Sequence, residues 1–209
     1  MINLPNQITL ARLVLAVLFF VLLAQYSQRD PQAWLLDVAG GLFVLAALTD
    51  ILDGYLARKW NQITTLGRVL DPFVDKLLVC GAFVLLAGPR FVDHQQQSVT
   101  GVEPWMVVII LGRELLVTGL RGFSESIGRD FSANIYGKAK MWVQSITAGT
   151  ILFVVAHRET TFSAPFFGWL KTGLIWLTVI VTTLSMTGYL LNARQFIFAS
   201  RPAASDTPS

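Results

Sequence analysis

The sequence predicts an all-α integral membrane protein with six transmembrane helices, and three observations predict it. The chain is 54% hydrophobic and only 14% charged, whereas soluble domains average about 25% charged residues. Its apolar residues gather into six runs, at about 9 to 26, 34 to 57, 66 to 89, 104 to 124, 138 to 157 and 167 to 192, each close to the ~20 residues that cross a bilayer as a helix. Its 16 Lys and Arg residues are shared very unequally between the two sides that such a layout defines. Residues 1–195 therefore read as one six-helix membrane domain, and 196–209 as a polar C-terminal tail.

The first run follows MINLPNQ and ends in QYSQRD. It has neither a basic leader nor a small-residue cleavage site, so it is expected to be a mature helix. The second run closes with TDILDGYLARKW and the third opens with GRVLDPFVDK. The short connection KWNQITTL between them predicts an antiparallel helical hairpin. Cys80 sits alone in the third run and reads as a small core hydrophobe. The polar loops RFVDHQQQSVTGVEP and HRETTFSAP carry His94 and His157, each without a second ligand at metal-binding spacing. The fourth run carries GRELLVTGLRGF, the fifth opens with GKAKMWVQ, and the sixth precedes the tail RPAASDTPS. Trp34, Trp60 and Trp105 stand near run ends, where aromatic rings anchor at the membrane interface.

Six helices place both termini on one side. Arg12, Arg58, Lys59, Arg68, Lys76, Arg113, Arg121, Arg129, Lys138, Lys140, Arg194 and Arg201, twelve in all, belong to that side, against Arg29, Arg90, Arg158 and Lys171 on the other. The positive-inside rule then puts the termini and the hairpin connection in the cytoplasm.

The acids of the second and third runs are the feature that lipid burial does not explain. Asp50, Asp53, Gly54 and Ala57 follow one another at i, i+3, i+4 and i+7, and Gly67, Asp71 and Asp75 at i, i+4 and i+8. Each set occupies one helical face. The hairpin lets the four carboxylates converge, and each intramembrane acid costs on the order of 3 kcal/mol unless compensated. A four-carboxylate cluster without His or Cys is a hard oxygen site, suited to Mg²⁺ or Mn²⁺ rather than Zn²⁺. Two such ions form the clamp used in phosphoryl-transfer displacements. The small residues leave room for close backbone approach, and Arg58 can meet a phosphate as a bidentate donor.

The full pattern, Asp50-x2-Asp53-Gly54-x2-Ala57-Arg58-x8-Gly67-x3-Asp71-x3-Asp75, resembles the signature of the CDP-alcohol phosphotransferases, with all its fixed positions filled. The resemblance implies the fold of that family, with Asp50, Asp53, Asp71 and Asp75 binding two divalent cations, Mg²⁺ or Mn²⁺. It further implies Asp75 as the general base, and Gly54, Ala57, Arg58 and Gly67 as the lining of the CDP-lipid site. An ordinary aspartate, with a pKa of about 3.9, is a weak base, so the acidity of the acceptor hydroxyl must be assisted.

Three further stretches resemble the phosphatidylglycerophosphate synthases of that family. Pro5, Asn6, Thr9 and Arg12 fill a PNxxTxxR opening, and Arg113, Glu114, Val117, Leu120 and Arg121 fill RExxVxxLR. Gly137, Lys138, Lys140 and Gln144 fill GKxKTxxQ, with Met141 where Thr is usual. The implied substrates are CDP-diacylglycerol and glycerol 3-phosphate, within membrane lipid, with no nucleic-acid partner and with a homodimeric assembly. Arg113, Arg121, Lys138 and Lys140 are the expected seats for the acceptor phosphate. Glu114, adjacent to Arg113, is expected to face Arg121 seven residues on rather than Arg113. The implied location is the bacterial inner membrane, with the active site facing the cytoplasm.

Inositol phosphate or phosphatidylglycerol could replace glycerol 3-phosphate under the same chemistry. A membrane prenyltransferase would carry two separate Asp-rich motifs on different helix pairs. A cation transporter would explain buried carboxylates, but not the spacing of Gly54, Arg58 and Gly67.

Overall fold

The computed structural model describes residues 4–60, 65–126, 135–158 and 165–199, with side chains described for 7–50, 73–124, 126, 140–158 and 165–190. The described residues form six α-helices: α1 (Leu4–Gln25), α2 (Ala33–Trp60), α3 (Thr65–Leu86), α4 (Pro104–Ser126), α5 (Ile135–Ala156) and α6 (Pro165–Ala199). Each coincides with one of the six expected runs. The helix α6 is longer than expected: its backbone continues to Ala199, past the 195/196 boundary. Its 35 residues span roughly 50 Å at about 1.5 Å per residue, more than the ~30 Å hydrocarbon core.

Among the described residues, α1, α2 and α6 carry stretches long and apolar enough to cross a membrane by length and composition, and α5 carries a shorter one. The other two helices hold Asp75, Lys76, Arg113 and Glu114, which interrupt their apolar runs. Large apolar side chains point outward around the bundle, with Leu115 74% and Trp169 77% exposed. Such a surface suits lipid and not water. Trp34 and Trp105, second residues of α2 and α4, are likewise about half exposed. The protein is a multi-pass membrane protein.

The helix α1 organises the bundle. Its inward face, Ala16, Phe19 and Leu23, is fully buried against Leu36, Ala39, Phe43 and Ala46 of α2, with the Phe19 and Phe43 rings 5.5 Å apart. Gly81 of α3 admits the Phe20 ring so closely that an added Cβ would lie 2.5 Å from it. Small residues permit this approach between helices. As a result α1 packs along both α2 and α3, while those two touch little among the described residues. The expected hairpin partners are therefore bridged by α1 rather than packed along their length.

The far end of the bundle is closed by the α3–α4 loop. Thr100 Oγ1 donates to Leu86 O (2.9 Å), Lys171 Nζ of α6 donates to Val99 O (2.6 Å), and Phe91 stacks on Tyr26 at 5.0 Å. At the same end His157 Nδ1 lies 3.1 Å from Phe153 O and 3.7 Å from Asp37.

Candidate active site

Asp50 and Asp75 each stand ten residues from the α2–α3 connection, which places both about 15 Å inside their helices at 1.5 Å per residue. They are the inner pair of the acidic pattern, deeper than a position at the helix ends. Both line one cavity of about 270 Å³. Among the described residues its other charged lining residue is Arg12, brought in by α1. The Arg12 guanidinium, only 1% exposed, forms an ion pair with the Asp50 carboxylate. An arginine so buried needs an anion, and the bridging position of α1 supplies Asp50.

The rest of the lining is mostly apolar. Phe43, Ala46 and Ala47 come from α2, Leu78 and Val79 from α3, and Met141, Ser145 and Ile146 from α5. Val44 and Leu48 of α2 and Trp142 and Ile146 of α5 line the cavity and are also about half exposed on the outer surface. The cavity thus opens sideways between α2 and α5, with its carboxylates at the polar end and a greasy mouth. Met141 stands in this lining with Asp50 and Asp75.

A second charged group lies on α3, α4 and α5. Glu114 accepts from Arg113 Nη1 (3.1 Å) and pairs with Lys140 Nζ. Arg113 Nη2 donates to Ser185 Oγ of α6 (2.7 Å), and its guanidinium lies 5.3 Å from the Tyr189 ring centre. This corrects the expected pairing. The offset of adjacent residues on a helix separates their Cβ atoms, but two long side chains in a water-poor interior still reach across it. Arg121 keeps a different status: its Nε is buried with no hydrogen-bond partner among the described residues. Lys76, adjacent to Asp75, donates from Nζ to Thr118 Oγ1 (2.6 Å), which donates to Glu114 O (2.7 Å).

The remaining expected site residues, Asp53, Gly54, Ala57 and Arg58 on α2, Gly67 and Asp71 on α3, and Lys138 on α5, have side chains outside the described residues. Among those that are described, Asp50 and Asp75 are brought together, Arg113 and Lys140 converge on Glu114, and Arg121 stands apart. The residues that sequence reasoning missed lie on α6. Thr178, Thr182, Ser185 and Tyr189 recur at i, i+4, i+7 and i+11, and all four are buried. Thr178 bonds Thr147 (2.8 Å), and Thr182 accepts from Gln144 Nε2 (3.3 Å). That polar stripe in an apolar helix was the available signal.

The donor set fits a divalent cation in part: two carboxylates from different helices face one cavity, and among the described residues neither His nor Cys lines it. Hard oxygen donors of this kind suit Mg²⁺ or Mn²⁺.

A model of the CDP-alcohol phosphatidyltransferase family matches residues 2–184. The chain belongs to this family. Members of the CDP-alcohol phosphatidyltransferases generally use divalent metal ions. The chain is similar to curated enzymes named CDP-diacylglycerol–glycerol-3-phosphate 3-phosphatidyltransferase. With that of Bacillus subtilis it shares 35% identity over 192 residues, covering 88% of this chain and 92% of the relative. With that of Pseudomonas fluorescens it shares 34% identity, covering 90% and 88%. With that of Rickettsia bellii it shares 33% identity, covering 90% and 92%.

Proposed function

We propose that this protein transfers the phosphatidyl group of CDP-diacylglycerol to glycerol 3-phosphate, giving phosphatidylglycerophosphate and CMP. The observation that carries the reading is identity above 30% across about nine-tenths of the chain with enzymes of that name. The cavity supports it physically, since a lipid donor requires apolar access from the bilayer and a polar end for its diphosphate. The mouth between α2 and α5 offers the first, and Arg12, Asp50 and Asp75 the second.

In the proposed reaction, CDP-diacylglycerol slides in laterally with its acyl chains along Val44, Leu48, Trp142 and Ile146. Asp50 and Asp75, with Asp53 and Asp71, would hold two divalent cations, which when bound neutralise the diphosphate and the departing CMP. Gly54, Ala57, Arg58 and Gly67 line the nucleotide side, and Arg58 pairs with phosphate. Glycerol 3-phosphate enters from water. Its free terminal hydroxyl gives its proton to Asp75 and forms the new P–O bond to the β-phosphorus as the bond to CMP breaks. Holding both substrates in line supplies much of the rate enhancement. The polar end faces the cytoplasm of a bacterial inner membrane, residues 1–195 form the catalytic domain ahead of the tail 196–209, and the enzyme works as a homodimer.

The test is an acceptor panel with detergent-solubilised protein, CDP-diacylglycerol and Mg²⁺ or Mn²⁺. Glycerol 3-phosphate should release CMP at least tenfold faster than inositol phosphate, serine or phosphatidylglycerol. A preference for another acceptor would reject the reading.

A further inference from the structure

We propose that Lys76, together with Arg121, forms the seat for the acceptor's phosphate, so that Lys76 is a specificity-determining residue for glycerol 3-phosphate. This rests on the functional reading above and adds Lys76, which no sequence motif singles out, to the already expected Arg121.

Access and charge both point to it. Arg113 and Lys140 are 4% and 5% exposed and share the carboxylate of Glu114. They are nearly sealed from water and engaged by that carboxylate, so a soluble anion does not reach them. Lys76 is less deeply buried, and its bond to Thr118 lies at an exposed position. That bond uses one of its three donors, which leaves two for a ligand. Arg121 is also partly exposed, and its buried Nε lacks a partner among the described residues. Lys76 lies within electrostatic reach of Arg121, Asp75 and Arg113, and Lys140 within reach of Arg113, Asp75 and Lys76. Lys76, Arg113, Arg121 and Lys140 bring four positive charges to this group, and Asp75 and Glu114 bring two negative ones. Among the described residues of this group the positive charges exceed the negative by two, where charge is costly. A phosphate monoester, close to a dianion near neutral pH, balances that excess.

Position adds the second half of the case. Neighbouring residues of a helix point about 100° apart. Asp75 faces the cavity while Lys76 reaches α4. A short phosphorylated polyol can therefore rest its phosphate on α4's side of α3 and present its far hydroxyl to Asp75. An acceptor without a phosphate gains nothing from Lys76.

The experiment compares full-length wild-type protein with Lys76→Met and Lys76→Arg in detergent with Mg²⁺, varying glycerol 3-phosphate and CDP-diacylglycerol in turn. Inorganic phosphate serves as a competitor. Lys76→Met should raise the KM for glycerol 3-phosphate at least tenfold and that for CDP-diacylglycerol less than twofold. It should also weaken inhibition by inorganic phosphate, and Lys76→Arg should recover most of both effects. An unchanged KM for glycerol 3-phosphate, or an equal rise for the two substrates, would overturn the assignment while leaving the proposed reaction intact. Wild-type protein that releases CMP only with an unphosphorylated acceptor would overturn both. Should Lys76→Met fail to fold, Lys76→Gln carries the same comparison, with the KM for CDP-diacylglycerol reporting an intact donor site.

Discussion

Asp75 stands where three features meet: it lines the cavity, it shares that lining with Asp50, and its neighbour Lys76 turns toward α4. A carboxylate so placed can take the acceptor's proton without holding the donor lipid by itself. Asp75→Asn keeps the size of the side chain and removes the base. It should lower turnover at least a thousandfold, from loss of general-base assistance and of one cation ligand together. Binding of CDP-diacylglycerol, measured by retention of radiolabelled lipid, should fall much less. Equal loss of binding and turnover would reject the base assignment. The acids were legible in the sequence because their spacing is a property of two local helices and needs no tertiary knowledge. The Arg12–Asp50 pair was not legible, since it depends on α1 lying between α2 and α3. Arg12 was visible only as one position of an N-terminal pattern.

At the scale of elements, α4, α5 and α6 are held by buried polar contacts, because apolar faces gain little from one another when lipid is the alternative. Glu114 is the centre of this arrangement. Removing it would leave the Arg113 and Lys140 charges facing each other with Ser185 as the described neutral partner. Breaking a buried pair in this way costs about 3 kcal/mol or more. Glu114→Gln should therefore unfold in detergent at a clearly lower temperature than the parent. Glu114→Gln combined with Lys140→Met should recover part of the loss, because one of the stranded cations is then gone. Equal stability of Glu114→Gln and the parent, followed by thermal unfolding of the purified protein, would count against a central role for this carboxylate. The six helices themselves were readable from run lengths. The α6 stripe of Thr178, Thr182, Ser185 and Tyr189 was readable only as scattered polarity, since its meaning depends on which helices it faces.

For the molecule as a whole, the two ends differ in kind. One end is closed by a folded loop tied to Tyr26 just past α1 through Arg90, to α3 through Thr100 and to α6 through Lys171. Toward the other, Arg12, Asp50 and Asp75 line a cavity that opens sideways. This polarity matches a reaction with one substrate in the bilayer and the other in water. The expected sidedness rests on the charge count, since Lys and Arg resist translocation regardless of the fold. Depth was less legible: Asp50 and Asp75 stand well inside their helices, since run length alone does not say how far water follows the polar residues inward.

The most direct measurement is CMP release from CDP-diacylglycerol in sealed vesicles of bacterial inner membrane carrying this protein, with impermeant glycerol 3-phosphate added outside. Inverted vesicles, which expose the cytoplasmic face, should release CMP in proportion to added glycerol 3-phosphate, and right-side-out vesicles should do so only after permeabilisation. Release that ignores glycerol 3-phosphate, or that occurs from intact right-side-out vesicles alone, would contradict a cytoplasmic phosphatidyltransferase site.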